Sequence, residues 1–139
     1  MTVVVDASVI IKWLLQDPEG EAGTDKATSL MEAVIKGEQP VLQPTHWVVE
    51  VGAVLARESP ATAADDVTML NALELPATDE PLVLRRGVEL ATELKQHLFD
   101  TFYHAVALET PEGILVTADD RYLRAAREKG QIMHLMDWE

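Results

Sequence analysis

The chain has 139 residues and no cysteine, and its 11 Lys and Arg against 24 Asp and Glu give a formal net charge of −13. The length suits one domain over 1–139 with a real buried core, and the missing cysteine excludes disulfides, thiol catalysis and thiolate metal sites. A field this negative repels nucleic acid at long range, so a polyanionic substrate would have to be met by a metal or a local basic patch.

Thr2-Val-Val-Val-Asp6-Ala-Ser8 opens the chain. Val3, Val4 and Val5 show no polar alternation, which predicts a strand buried on both faces, as in a parallel sheet covered by helices. Asp6 then stands at the strand's carboxyl end, where open α/β sheets place their ligands. The plainer alternative is that Asp6 or Ser8 caps the next helix. Val9 to Leu15 is helix-compatible and is ended by Asp17-Pro18-Glu19-Gly20. A second helix runs from about Gly23 to Lys36 with Gly37 just past its end. Val41-Leu42 reads as a short strand between two prolines, and Thr45 as the N-cap of a helix from His46 to about Arg57.

Ser59-Pro60 reads as cap and first-turn proline of a helix from about Ala61 to Leu73. Glu74-Leu75 is a stub of strand, and Asp79 caps a helix from Glu80 to about Lys95. Another helix spans His97 to about Glu109 and closes at Pro111-Glu112-Gly113. Ile114 to Thr117 is a second apolar strand, running into Ala118-Asp119-Asp120. A short helix covers Arg121 to Lys129, and a last strand Ile132 to Met136. The order β-α-α-β-α-α-α-α-β-α-β implies parallel strands joined by helical crossovers, hence an α/β sandwich. With no leader segment and no apolar run near the ~18 residues of a membrane span, a cytoplasmic location is expected.

Four acids fit their surroundings poorly. Glu50 has Trp47, Ala53 and Val54 as helical neighbours, so it sits at the rim of the core or looks into a cleft. The alternative is a salt bridge to Arg57. Asp100 lies near a helix start, where the macrodipole favours it, but Phe99, Phe102, Tyr103 and His104 surround it in sequence. Asp119 repeats the pattern of Asp6, while Asp120 is placed as the following helix cap, with the two able to exchange roles. Two strand ends and two helices directed towards the sheet allow these acids to converge. Four carboxylates within ~6 Å repel by about 3 kcal/mol per pair at an effective dielectric near 20. Such a cluster needs shared protons or intervening cations. An all-oxygen site suits Mg²⁺ or Mn²⁺, which commonly serve phosphodiester hydrolysis.

At these residues the chain resembles the PIN-domain family, and within it the toxin ribonucleases of VapBC-type toxin–antitoxin pairs. The matching pieces are Val5-Asp6-Ala-Ser8-Val, Pro44-Thr-His-Trp-Val-Val-Glu50-Val, Phe99-Asp100-Thr-Phe-Tyr103-His104-Ala-Val-Ala and Val116-Thr117-Ala-Asp119. The resemblance implies a PIN-like α/β/α sandwich with a central parallel sheet. It implies that Asp6, Glu50, Asp100 and Asp119 are the metal-binding acids, with Ser8 and Thr117 as supporting hydroxyls. It also implies Mg²⁺- or Mn²⁺-dependent endoribonuclease activity, a homodimer, and an antitoxin whose C-terminal segment blocks the site. His97 departs from the Ser or Thr helix cap of many relatives. Among the few cations, Lys12 and Arg121 are the first candidates for gripping RNA, since each is close in sequence to a site acid. His104 reads as a packing residue, and Trp13, Trp47 and Trp138 as core or dimer contacts.

The leading reading has metal held by Asp6, Asp100 and Asp119, with Glu50 helping directly or through water, and a water attacking an RNA phosphodiester in line. A non-catalytic dimeric PIN-like module that binds a partner is the alternative. An aspartyl-phosphate phosphatase is disfavoured because Ser8 stands where a second Asp is normally required.

Overall fold

The computed structural model describes residues 1–16 and 23–139. The expected helix stop at Asp17-Pro18-Glu19-Gly20 lies outside the described residues. Strand β1 (Thr2–Val5) is the first strand of a three-stranded parallel sheet. Val3, Val4 and Val5 are all buried. Successive strand side chains point to opposite faces, so both faces of β1 are covered. On one side β1 pairs in parallel with β4 (Gly113–Thr117), with Val3 opposite Ile114 and Val5 opposite Val116. Beyond it β4 pairs in parallel with β5 (Ile132–His134).

The other side of β1 is held differently. Val41 makes one parallel bridge to Val3, whose amide donates to the Pro40 carbonyl and whose carbonyl accepts from Leu42, both at 3.0 Å. The chain then leaves β1 as β2 (Gln43–Pro44), which pairs in parallel with β3 (Ala77–Thr78). The buried Gln43 amide fills the gap. Its Oε1 accepts from the Val5 N–H at 2.7 Å and its Nε2 donates to the Val5 carbonyl at 2.9 Å. The result is a three-stranded parallel sheet in the order β1, β4, β5, with the two-stranded parallel sheet of β2 and β3 joined to its β1 edge through the Val3–Val41 bridge and the Gln43 side chain. The path of the chain therefore reverses between β1 and β4, which opens a crevice at their carboxyl ends.

Both short strands fall two or three residues later than their apolar content predicts. Gln43 donates to the Pro76 carbonyl and Thr45 to that of Thr78, so Pro44, which has no N–H, occupies the position that need not donate. Strand β5 stops at His134 because residues Leu135–Asp137 wind into a 3₁₀ turn, with His134 Nδ1 accepting from the Met136 amide.

Seven α-helices occur among the described residues: α1 (Ala7–Leu14), α2 (Thr24–Ile35), α3 (Trp47–Glu58), α4 (Ala63–Ala72), α5 (Pro81–Leu94), α6 (Leu98–Leu108) and α7 (Asp120–Ala126). None is long and apolar enough to cross a membrane. Three expected caps do not act as caps. The Thr45 amide is still in the β2–β3 ladder, and His46 opens α3 in helical geometry without a side-chain cap. Ser59 and Pro60 lie in a turn before α4, where the Ser59 carbonyl accepts from Thr62 and Ala63. Asp79 yields to Glu80, because Pro81 suits the first helical position with its preset φ.

Helix α6 is apolar nearly all round, with residues Thr101 to Ala107 buried. It packs on β1 and β4 on one side and on α5 on the other. Gly87 of α5 permits that approach, and its carbonyl accepts from the Thr101 hydroxyl at 2.8 Å. His97, in place of a Ser or Thr, caps α6 through Nδ1, which accepts from the Phe99 amide at 3.1 Å. Asp100 is thereby fixed in the first turn of α6, above the end of β1.

Candidate active site: an acidic cleft at the strand ends

Asp6 follows directly on β1, and its amide donates to the Val116 carbonyl at 3.0 Å, adding one more rung to the ladder. Its side chain caps α1, with Oδ2 accepting from the Ser8 amide at 3.3 Å. The same oxygen accepts from the Ser8 hydroxyl at 2.5 Å and from the Thr117 hydroxyl at 3.1 Å. Capping and a place in the cleft are therefore compatible, because the described hydrogen bonds gather on one oxygen of the pair. Both supporting hydroxyls are themselves anchored: Ser8 Oγ accepts from the Ala118 amide at 2.9 Å and Thr117 Oγ1 from the Asp119 amide at 3.0 Å.

Asp119, rather than Asp120, is the cap of α7, accepting from the Tyr122 amide at 3.1 Å. Asp120 is 74% exposed, pairs with His134 at 3.2 Å and does not line the cleft. The exchange of roles left open between these two acids is thus decided by which one ends the extended segment. Glu50 lies in the first turn of α3, only 16% exposed, with its Oε2 2.9 Å from His46 Nε2. Arg57 is not its partner. That side chain is 71% exposed and turns to Glu58.

Asp6, Glu50, Asp100 and Asp119 line one cleft of about 370 Å³ together with Ser8, Lys12, Ile11 and Val54. Lys12 thus shares the acids' cleft, whereas Arg121 is exposed and does not line it. A larger depression of about 730 Å³ lies at the opposite end of β4, between residues 108–114 and Gln131, and holds none of the four acids.

The electrostatics report the convergence. Burial pushes the Asp6 carboxyl up to about 6, with the Ser8 hydrogen bond opposing and the charges of Asp100 and Glu50 adding. Asp100 is also raised, first by burial and then by the carboxylates of Glu50 and Asp119, against the pull of His97 and His46. Among the described residues no three His, Asp or Glu side chains are gathered tightly enough to form a ready-made metal site. The donor set nevertheless fits a hard divalent cation in kind: carboxylates around one cleft, with Glu50 adding to the cost of ionising both Asp6 and Asp100. A cation entering the cleft would relieve that repulsion.

Two neighbours of the site carry information the sequence reading passed over. His46 stands four residues before Glu50, a spacing that puts both on one helical face and was open to notice. Tyr103 is fully buried and its hydroxyl has no hydrogen-bond partner. That hydroxyl is pushed well above its ordinary pKa by burial and by the carboxylates of Glu50 and Asp6, although it stops short of hydrogen-bond geometry to Glu50. His104, as expected, is a packing residue. Its Nε2 donates to the Gly130 carbonyl at 2.8 Å, which leaves Nδ1 to accept from the Tyr122 hydroxyl at 3.0 Å.

A family model described as the PIN domain matches residues 3–128. No curated protein matches the chain.

Proposed function

The chain belongs to the PIN-domain family, a superfamily of nucleases that act on nucleic acid and generally use divalent metal ions, and from that premise we propose that it is a metal-dependent endoribonuclease. The observation that carries the reading is the meeting of Asp6, Glu50, Asp100 and Asp119 in one cleft at the ends of β1 and β4. In this reading Asp6, Asp100 and Asp119 hold Mg²⁺ or Mn²⁺, and Glu50 assists directly or through a water. A bound divalent cation supplies charge neutralisation and a more acidic water for phosphodiester hydrolysis.

The protein's own groups have separate tasks. Ser8 and Thr117 fix one oxygen of Asp6, which keeps the other for the cleft. Glu50, on the same cleft, adds a carboxylate to the metal's surroundings directly or through a water. Lys12, which lines the cleft, is the first candidate to meet an RNA phosphate, with Arg121 the second. Arg85 and Lys129 do not line the cleft and pair with Glu89 and Glu93. Substrate grip therefore leans on cations held in the cleft more than on a basic surface.

We extend the proposal to the biological setting implied by the resemblance: one chain is the toxin of a type II pair, acts as a homodimer in the cytoplasm, and is silenced by an antitoxin segment laid over the cleft. Exposed apolar side chains on α5 (Leu82, Leu84 and Val88) support a protein partner there. The domain is proposed to occupy 1–139 as one unit. The test is cleavage of single-stranded RNA with Mn²⁺, with chelator, and with Asp100→Asn. Cleavage that needs both the metal and Asp100 supports the reading, and cleavage that survives the substitution overturns it.

A further inference from the structure

Glu50 is the one cleft acid on α3, and its side chain could turn several ways. His46 decides which. His46 Nε2 lies 2.9 Å from Glu50 Oε2 and 3.2 Å from the Phe99 carbonyl oxygen. Both neighbours are acceptors, so Nε2 carries the proton and donates to them. The ring itself is wedged into α6. Its centroid is 5.1 Å from Phe99, 5.1 Å from Phe102 in a stacked arrangement, and 5.0 Å from Tyr103 edge-on. His46 thus joins α3 to the same turn of α6 that carries Asp100.

We propose that His46 is a positioning residue of the acidic cleft: anchored in the Phe99, Phe102 and Tyr103 nest, it holds Glu50 by one carboxylate oxygen and fixes that acid relative to Asp100. The inference rests on the metal-nuclease reading for its functional meaning, while its geometric content stands apart from it. A simple i,i+4 helix pair would need none of the α6 contacts. The buried Tyr103 hydroxyl stands beside the same carboxylate without a well-formed hydrogen bond, so His46 is the neighbour that holds Glu50 with good geometry.

The test compares His46→Gln, which places an amide Nε2 donor near the position of the ring nitrogen, with His46→Phe, which keeps an aromatic ring in the nest and removes the donor. The first readout is metal-free: the carbon-13 signal of the Glu50 carboxyl. The proposal expects a single sharp environment in the wild type and in His46→Gln, and a shifted or exchange-broadened signal in His46→Phe. The second is calorimetric titration of Mn²⁺ alone. His46→Phe should weaken binding roughly 3- to 10-fold, His46→Gln should recover most of that, and in a Glu50→Gln background His46→Phe should cost nothing further, the sign of one coupled unit. A folded His46→Phe with the wild-type Glu50 signal overturns the proposal. So does a loss of Mn²⁺ affinity that persists at full size in the Glu50→Gln background. A wild type that binds no Mn²⁺ overturns the nuclease reading instead, and the carboxyl signal alone then decides the role of His46.

Discussion

Ser8 and Thr117, 109 positions apart in the chain, bring their hydroxyl oxygens to within 3.4 Å of each other over the same carboxylate oxygen of Asp6. Each hydroxyl relays a backbone amide of the β4–α7 turn, Ala118 through Ser8 and Asp119 through Thr117, to that acid. The two relays tie the ends of β1 and β4 together and hold Asp6 and Asp119 side by side.

Thr117→Val keeps the shape of the side chain and removes one relay. It leaves the Asp119 amide and the buried Asp6 carboxylate each short of a partner. The expected cost is about 1–3 kcal/mol, and Ser8→Ala should cost a similar amount. Because both act on one oxygen, the double variant should depart from the sum of the singles by at least ~0.5 kcal/mol. Urea unfolding of the four proteins measures this, and strict additivity would count against a shared network.

Asp6→Asn should stabilise the metal-free fold while removing activity. The Asp6 carboxyl rises from 3.8 to about 6 on folding. Between those values the native state keeps a proton that the unfolded chain has lost, so stability falls as pH rises through the window and the penalty is complete above it. The asparagine carbonyl can still accept from Ser8 and Thr117 but carries no charge. At pH 7 in chelator the variant should be more stable by about 1–3 kcal/mol, with a flatter pH profile between roughly 4 and 6. Melting curves across that range read it, and a variant that melts lower than the wild type at pH 7 would contradict the account.

Strand β1 with Asp6, strand β4, and the longer helices were legible because an unbroken apolar run or a 3.6-residue period is a local signal. The same holds for the two acids at the strand ends. The two-residue strands were not, since Gln43–Pro44 and Ala77–Thr78 are chosen by which amides find carbonyls across the sheet, a tertiary matter. Caps at Thr45, Ser59 and Asp79 failed for a related reason: a good capping side chain does nothing when its backbone is already committed to a strand, a turn or the residue before Pro81. The partner of Glu50 was legible in spacing, yet Arg57 drew attention through its charge, whereas His46 wins because burial against α6 removes it from water.

Gln43→Leu tests the stitch between β1 and β2. The change removes both hydrogen bonds to Val5 and leaves a buried N–H and C=O unpaired directly before Asp6. A loss of about 2–4 kcal/mol is expected, together with faster amide exchange at Val5. Unchanged protection at Val5 would show that the ladder does not depend on this side chain.

Gly113→Ala should destabilise the fold without touching the cleft. A Cβ there would lie 2.5 Å from the Ala107 carbonyl oxygen and 3.0 Å from that of Thr110, so backbone must shift. The expected cost is about 1–3 kcal/mol, or a fall in Tm of very roughly 4 °C per kcal/mol for a chain of this size. A Tm equal to that of the wild type would mean the α6–β4 turn has room the structure does not show.

Titrating Mn²⁺ into the partner-free protein beside Asp100→Asn tests the central claim most directly, because it needs no assumption about the RNA. The account predicts binding in the wild type that the single loss of charge at Asp100 abolishes, with the variant still folded and melting no lower than the wild type in chelator. No binding by a folded wild type, or binding left intact by the substitution, would contradict a metal site built from these acids.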